Sequence, residues 1–406
     1  MRTKWQIIAL VPLAALFALP ASPQSEAYPQ PKVLWNVTTH PNPSDPFAAA
    51  VRTVEFSADG EQIIAAGFDG TIKILNRSNG AEMKTILAHT GAVNTVSISK
   101  DGQMLSSGGV DRMLNLWRVS DGTLLRSIHA HTTAVYSVAF SPDASLVLSC
   151  GGLENQLKIW RTADGELVRT IQGSWGDTQK SSGGMLSAAF SPDGQKIASS
   201  GLEIWNLDGT LFRNVGHLEA RRQVKFSPDG TRVFATIPYG MVGYNLVDGT
   251  SIYPLSTSHF PQSSLSADGR SVVSISVGLP ELIWAVVPDQ ARWLEPNGGE
   301  IHSFSCLDVE CSRPSAVALD RRLRTVVVGT YLGEVLLLEL PIWLSGIKHD
   351  GTQVSVQWQG GSGNYQVQQR TPADTWKDVG SPVTNNAISV TMDVPSAFLR
   401  VRNTGP

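Results

Sequence analysis

Charge is scarce in this chain. Asp, Glu, Lys and Arg together make up 17% of its 406 residues. The signs nearly balance, 32 Lys and Arg against 35 Asp and Glu, for a net charge of −3. A nucleic-acid partner requires a concentrated basic face, and this composition supplies none. No run of like charges marks a solvated tail. Cysteine is scarcer still: Cys150, Cys306 and Cys311 are the three. Without paired Cys and His spacings they do not describe a zinc site. A phosphate-cradling loop is missing too. Gly360-Gly361-Ser362-Gly363 lacks the Lys-Ser/Thr ending and reads as a hairpin loop. Neither residues 106–109 nor 181–184 form a nucleophile elbow. Beyond the N-terminal stretch no apolar run is long enough to span a membrane. No cofactor is expected.

Turns and apolar residues are plentiful instead. The chain has 37 Gly and 23 Pro, and 42% of it is hydrophobic. Many turns with few charged helices indicate an all-β protein with a sizeable core. The N-terminus carries Arg2 and Lys4, then an apolar stretch over residues 7–20 interrupted by Pro12. Small residues follow. This describes a bacterial-type signal peptide over residues 1–27, with cleavage after Ala21 or Ala27. The expected protein is extracytoplasmic, periplasmic or secreted. In such a compartment Cys306 and Cys311 are expected to form a local disulfide. The alternative is two free thiols whose Cα atoms stand too far apart to bridge.

A short phrase recurs: an apolar residue, usually Ser, any residue, Asp, usually Gly. Its Asp anchors are Asp59, Asp101, Asp143, Asp193, Asp229, Asp268 and Asp320, so the steps are 42, 42, 50, 36, 39 and 52 residues. Steps near ~40–45 residues are those of a four-stranded propeller blade. Within each period a first strand precedes the anchor, as in Val51, Val54 and Phe56. A second strand follows, then a tight turn such as Asp69-Gly70. A third strand ends in Leu75, Trp117, Trp160, Trp205 or Trp284. Asn79-Gly80, Asp121-Gly122, Asp164-Gly165, Asp208-Gly209 and Asp248-Gly249 then supply hairpin turns, which demand positive φ. The seventh period lacks its fourth strand. Residues 32–40 match the pattern of residues 123–131, so residues 32–38 are expected to complete the last blade and close the ring.

On these motifs the chain resembles the tryptophan–aspartate (WD) repeat family of seven-bladed β-propellers, over residues 32–341. The resemblance implies a hydrogen-bonded tetrad: a His between blades, a Ser or Thr on the second strand, an Asp in the following turn and a Trp on the third strand. Repeat two matches with His89, Ser107, Asp111 and Trp117. Repeat three matches with His131 and Trp160, with Glu154 or Asn155 in place of the Asp. His40, His217 and His259 fall at the same inter-blade position. The departures are plain. Asp never follows the Trp, repeat one has Leu75 in its place, repeat four is truncated, and repeats five to seven are eroded. After the last period, residues 342–406 alternate polar and apolar residues between Gly, Pro and Asn turns. They are expected to form a small β-sandwich, similar to a shortened fibronectin type III-like module.

The His and Asp residues spread around the ring with the repeat, so they read as structural groups and not as a metal cluster or a carboxylate pair. The irregularities are insertions at residues 41–50, 174–184 and 297–312, all at the connection between blades. Loops on a rigid scaffold carry binding. Trp175 and Asp177 in the second insertion, with Arg221 and Arg222, are the candidate partner-binding residues. The expected function is a non-enzymatic scaffold that binds a protein or peptide through the loop face. One alternative is a propeller enzyme, either a lactonase-like hydrolase or a quinone-cofactor dehydrogenase. The inner strands argue against it, because their readable positions are Val, Phe, Ile and Ser. Another is carbohydrate or cell-wall binding through Trp358, Tyr365 and Trp376.

Overall fold

The structure is a computed structural model. It describes residues 32–40, 49–173, 186–215, 223–237, 240–256, 262–265, 271–275, 281–286, 300–305, 314–320, 325–339, 343–350, 353–359, 364–370, 377–383, 387–391 and 398–405. The chain divides into two compact units, the larger comprising Val33–Arg321 and Val326–Leu338.

Among the described residues this unit holds seven four-stranded sheets. Sheet 1 runs Val51–Phe56, Gln62–Gly67, Thr71–Asn76 and Glu82–Leu87, its strands a to d. Neighbours within it are antiparallel. Sheets 2 to 6 repeat this order along the chain, with strands a at Val93–Ile98, Val135–Phe140, Ala188–Phe190, Val224–Phe226 and Gln262–Leu265. Sheet 7 takes strands a to c from Pro314–Leu319, Thr325–Thr330 and Glu334–Glu339, and its outer strand from Lys32–Thr38.

Strands a meet one another from sheet 1 through sheet 5, and again from sheet 6 through sheet 7 to sheet 1. They form the inner wall, and strands d the outer rim. The rim strands are correspondingly exposed: in Glu82–Leu87 only Ile86 is fully buried. Apolar layers fill the spaces between sheets. Ile64, Ile72 and Ile74 of sheet 1 pack on Val93, Val96 and Trp117 of sheet 2. Val51, Val54 and Leu75 pack on Ala316, Val327 and Leu337 of sheet 7, with Trp35 beside them.

The Ser-x-Asp-Gly phrase makes the turn from strand a to strand b. The Ser57 hydroxyl donates to Asp59 Oδ1 (2.5 Å) and accepts from the Gln62 amide (2.9 Å), while Asp59 Oδ1 also accepts from the Glu61 amide (2.9 Å). Gly60 takes φ +77°, which a side chain would strain. The same bonds recur at Ser99 and Asp101, Ser141 and Asp143, Ser191 and Asp193, and Ser227 and Asp229. The Ser hydroxyl and the backbone amide hold all five carboxyls below the usual range. In sheet 7 the spacing differs from the one expected: Leu319 pairs as Phe56 does, so Asp320 holds the position of the Ser and not that of the anchor Asp, and it accepts from Arg77 Nη2 at 2.6 Å, across the join to sheet 1.

The second unit includes Glu339–Pro406. It carries two three-stranded sheets. One is Trp343–Asp350, Gln353–Gln359 and Ala387–Thr391; the other is Lys377–Val383, Asn364–Arg370 and Phe398–Gly405.

Candidate interaction face

Antiparallel alternation sorts the connections. Turns a–b and c–d lie on one face of the ring. Turns b–c and the d–a connections lie on the other, the loop face. What holds the loop face begins with the chemistry of one hydroxyl.

Trp117 Nε1 has a hydrogen to give and no lone pair to offer, so at 2.9 Å it donates to Ser107 Oγ. The Ser107 hydrogen is then free for His89 Nε2 at 2.8 Å. That makes Nε2 an acceptor and puts the ring hydrogen on Nδ1, which donates to Asp111 at 2.9 Å. Burial lowers the His89 pKa, opposed by Asp111, in keeping with this neutral tautomer. Asp111 also accepts from the amides of Thr90 (3.1 Å) and Met113 (3.2 Å). The tetrad therefore ties the d–a connection, strands b and c, and the b–c turn of sheet 2 together. Gly109 makes room for it, since a Cβ there would stand 2.5 Å from His89 Nδ1.

Sheet 3 repeats the chain of bonds through Trp160, Ser149 and His131. Of the two candidates for the acidic position, Glu154 takes it, 3.1 Å from His131 Nδ1. Asn155 instead adopts φ +51° and donates to the Gly173 carbonyl. Burial pulls the Glu154 carboxyl upward, but hydrogen bonds from Thr132, His131 and the Thr133 amide outweigh it and hold the pKa down at about 2. Sheet 1 has no such chain. Ala65 stands at the Ser position and Leu75 at the Trp position. His40 bonds Thr39 through Nδ1, and its buried Nε2 has no hydrogen-bond partner, 3.8 Å from Asp69. In sheet 4 Trp205 Nε1 is likewise buried without a partner. Among the described residues no three His, Cys, Asp or Glu converge as metal ligands. Cys150 is buried, which pushes its thiol up to about 12 and leaves it unreactive.

The pinned turns present apolar side chains. Phe68 (44% exposed), Val110 (44%) and Leu332 (50%) occupy b–c turns of sheets 1, 2 and 7. Beside them, strands a of sheets 1, 2, 3 and 7 carry a bulge near their start, with Arg52, Asn94, Tyr136 and Ser315 as the extra residues. Bulges re-aim side chains. Asn94 Nδ2 donates to the Val135 carbonyl (3.0 Å) and Ser315 to the Val51 carbonyl, each bridging to the next inner strand. Arg52 instead lies 5.7 Å from the Phe68 ring centre, and Tyr136 (40% exposed) lies over Gly152. The sequence signal for these residues is the three-residue step from Val51 to Val54, Val93 to Val96 and Val135 to Val138. A straight strand has period two, so a step of three between buried positions requires an extra residue.

Trp175, Asp177, Arg221 and Arg222 lie outside the described residues, as do Cys306, Cys311, His217, His259 and residues 1–27. Nor is the inner wall as bland as its readable positions suggested. Glu55 and Lys225 stand on strands a of sheets 1 and 5, each one residue before the apolar residue that opens the Ser-x-Asp phrase.

The family profile described as WD domain, G-beta repeat, matches residues 36–76, 80–118 and 122–161. The chain thus carries three WD repeats. Each match runs from an outer strand into the following sheet, so the three end on sheets 1, 2 and 3. No curated protein is significantly similar in sequence. Among solved structures, the Cps50 (Swd1) β-propeller domain of Myceliophteria thermophila superposes with a TM-score of 0.64 at 11% identity, covering 77% of this chain and 100% of that one. That likeness establishes a β-propeller fold. WD propellers in general bind protein partners.

Proposed function

We propose that this chain is an extracytoplasmic, non-enzymatic scaffold: a seven-bladed propeller with a fibronectin type III-like C-terminal module, exported by its N-terminal signal. It binds a protein or peptide through the loop face. One observation carries this reading. Phe68, Val110, Tyr136 and Leu332 are exposed together on the loop face, and in sheets 2 and 3 the neighbouring turns are held by buried tetrads. Exposed apolar groups on a stiff frame suit recognition, because little ordering entropy is lost on binding. The rim strands also expose apolar side chains, Met83 and Leu87, Leu124, Leu167 and Val168, and Leu211 and Phe212, one or two to a strand and divided among separate sheets. Dispersed in this way they are ordinary surface.

The test is capture of partners from envelope extract and culture fluid by the wild-type chain, by a Phe68→Asp/Tyr136→Asp variant and by a rim variant, Leu124→Asp. The expected outcome is a partner retained by wild type and the rim variant and lost by the loop-face variant. A partner lost only by the rim variant would move the interface to the outer strands. Turnover of a small molecule with no partner captured would overturn the scaffold reading.

A further inference from the structure

The two sheets of the second unit end on four edge strands: Trp343–Asp350 and Ala387–Thr391 in one, Lys377–Val383 and Phe398–Gly405 in the other. An edge strand offers a row of backbone N–H and C=O groups to any strand that can pair with it, and proteins blunt such edges. Three of the four are blunted. Trp343–Asp350 has a register shift between Leu344 and Gly346. Lys377–Val383 contains Gly380 and Pro382, and its pairing with Asn364–Arg370 shifts between Tyr365 and Val367. Ala387–Thr391 has only 5 residues and lies beside Lys377–Val383.

Phe398–Gly405 is different. It spans 8 residues without a proline, and its register against Asn364–Arg370 is unbroken from Phe398 to Asn403. Among the described residues no strand pairs with its outer side. Directly opposite residues share a face of a sheet, so the register sorts what this edge presents. Arg402 opposite Gln366, Arg400 opposite Gln368 and Phe398 opposite Arg370 fall on one face. Leu399 and Val401, with Val367 and Val379, fall on the other. The edge strand thus carries two Arg, two residues apart, on one face and apolar residues on the other. Asp378, opposite Gln368, adds a negative residue to the Arg face, but on the strand farthest from this edge.

These charges decide which strand can dock. Pairing with a second copy about a two-fold axis centred on Arg400, Val401 or Arg402 sets Arg against Arg, and like charges directly opposite destabilise a sheet. An incoming strand with acidic residues two apart instead gains an opposite-charge pair at each Arg, in addition to the backbone bonds of an added strand. The edge repels its own copy and accepts an acidic segment, which is selectivity by built-in repulsion.

We propose that the outer edge of Phe398–Gly405 takes up an extended segment of a partner protein as an added strand, with Asp or Glu opposite Arg400 and Arg402 and apolar residues between them. The propeller's loop face has no part in this, so the proposal stands or falls independently of the loop-face reading.

Fluorescence anisotropy with the full chain and a labelled peptide, Thr-Val-Glu-Val-Glu-Val-Thr, tests it. The peptide should bind. A copy N-methylated throughout keeps the charges but has no N–H to give the edge, and should bind at least tenfold more weakly, as should a copy with Lys in place of Glu. In an Arg400→Glu/Arg402→Glu variant the preference should reverse, the Lys peptide binding at least tenfold tighter than the Glu peptide. That gain of binding also shows the variant to be folded. Absence of binding by the Glu peptide overturns the proposal. So does equal binding by the N-methylated copy, which marks charge attraction without strand addition, or a preference that the double variant leaves unreversed. A dimer seen in sedimentation and abolished by Val401→Pro would give the edge to a second copy and overturn it as well.

Discussion

Sheets 2 and 3 and sheet 1 solve one problem by different means. In sheets 2 and 3 a buried chain of Trp, Ser, His and carboxylate ties four parts of each blade from within. Sheet 1 has Ala65 and Leu75 where that chain needs Ser and Trp, and its His40 Nε2 is left without a hydrogen bond. It is held instead from outside. Arg77 reaches Asp320 of sheet 7 at 2.6 Å, bonds the Gly60 carbonyl at 3.0 Å and lies over the Phe56 ring. Trp35 donates to the Arg77 carbonyl at 2.7 Å, and Thr39 to the Gly333 carbonyl. These bonds gather where the first and last sheets meet, the one place the chain cannot hold together by sequence continuity. Sheet 1 thus carries bonds across the join where sheets 2 and 3 carry a tetrad.

The largest effect should come from the clasp. Arg77→Ala leaves Asp320, 3% exposed in its side chain, buried without its guanidinium. Breaking a buried pair in this way costs about 3–5 kcal/mol. A denaturant midpoint measures it, and the double variant Arg77→Leu/Asp320→Leu should recover most of the loss. Recovery would attribute the cost to the stranded charge and not to lost packing.

Next in size is a contrast between two histidines. His89→Leu strands Ser107 and Asp111 and should cost about 3 kcal/mol, since buried groups losing their partners cost ~1–3 kcal/mol each. His40→Leu removes one nitrogen that already lacks a partner and one bonded to Thr39, whose hydroxyl keeps the Gly333 carbonyl, and should fall within about 1 kcal/mol of wild type. Equal costs at the two sites would dissolve the distinction between sheets 1 and 2.

Smaller again is Asp101→Ala, at about 1 kcal/mol, which removes a turn carboxylate bonded to Ser99 and to the Gln103 amide. The least per group is the acid response. The five turn carboxyls have folded-state pKa values below their unfolded ones, so their stabilisation is fully present above the unfolded range, about pH 4. It is lost as pH falls through the folded values, which for Glu154 means about pH 2. The melting temperature should therefore decline from about pH 4 downward, and less steeply in a Ser57→Ala/Ser99→Ala/Ser141→Ala variant.

The contrast also explains what could be read from residues alone. The repeat was legible because turns a–b and c–d need particular residue types: Asp and Ser for their side-chain bonds, Gly for positive φ. Those demands are local and recur at fixed offsets. The members of the tetrad, His89, Ser107, Asp111 and Trp117, are legible only through the resemblance to the WD repeat family, whose motif places them at such offsets. The clasp was not legible, because Arg77 and Asp320 stand 243 residues apart and nothing local asks for either. Arg52 and Tyr136 were hidden by treating a three-residue step as alternation. Between the candidates Glu154 and Asn155, the choice required a 3-10 turn, Gly152–Glu154, that no spacing announces.

Native-state hydrogen exchange in wild type and Arg77→Ala tests the central claim most directly. The amides to follow are Phe68, bonded to the Ala50 carbonyl in the b–c turn of sheet 1, and Val110, bonded to the Ala92 carbonyl in that of sheet 2. If sheet 1 depends on the clasp and sheet 2 on its tetrad, Arg77→Ala strips protection from Phe68 well beyond the global loss, while Val110 keeps exchanging only with global unfolding. Equal loss at both amides, or a larger loss at Val110, would contradict it.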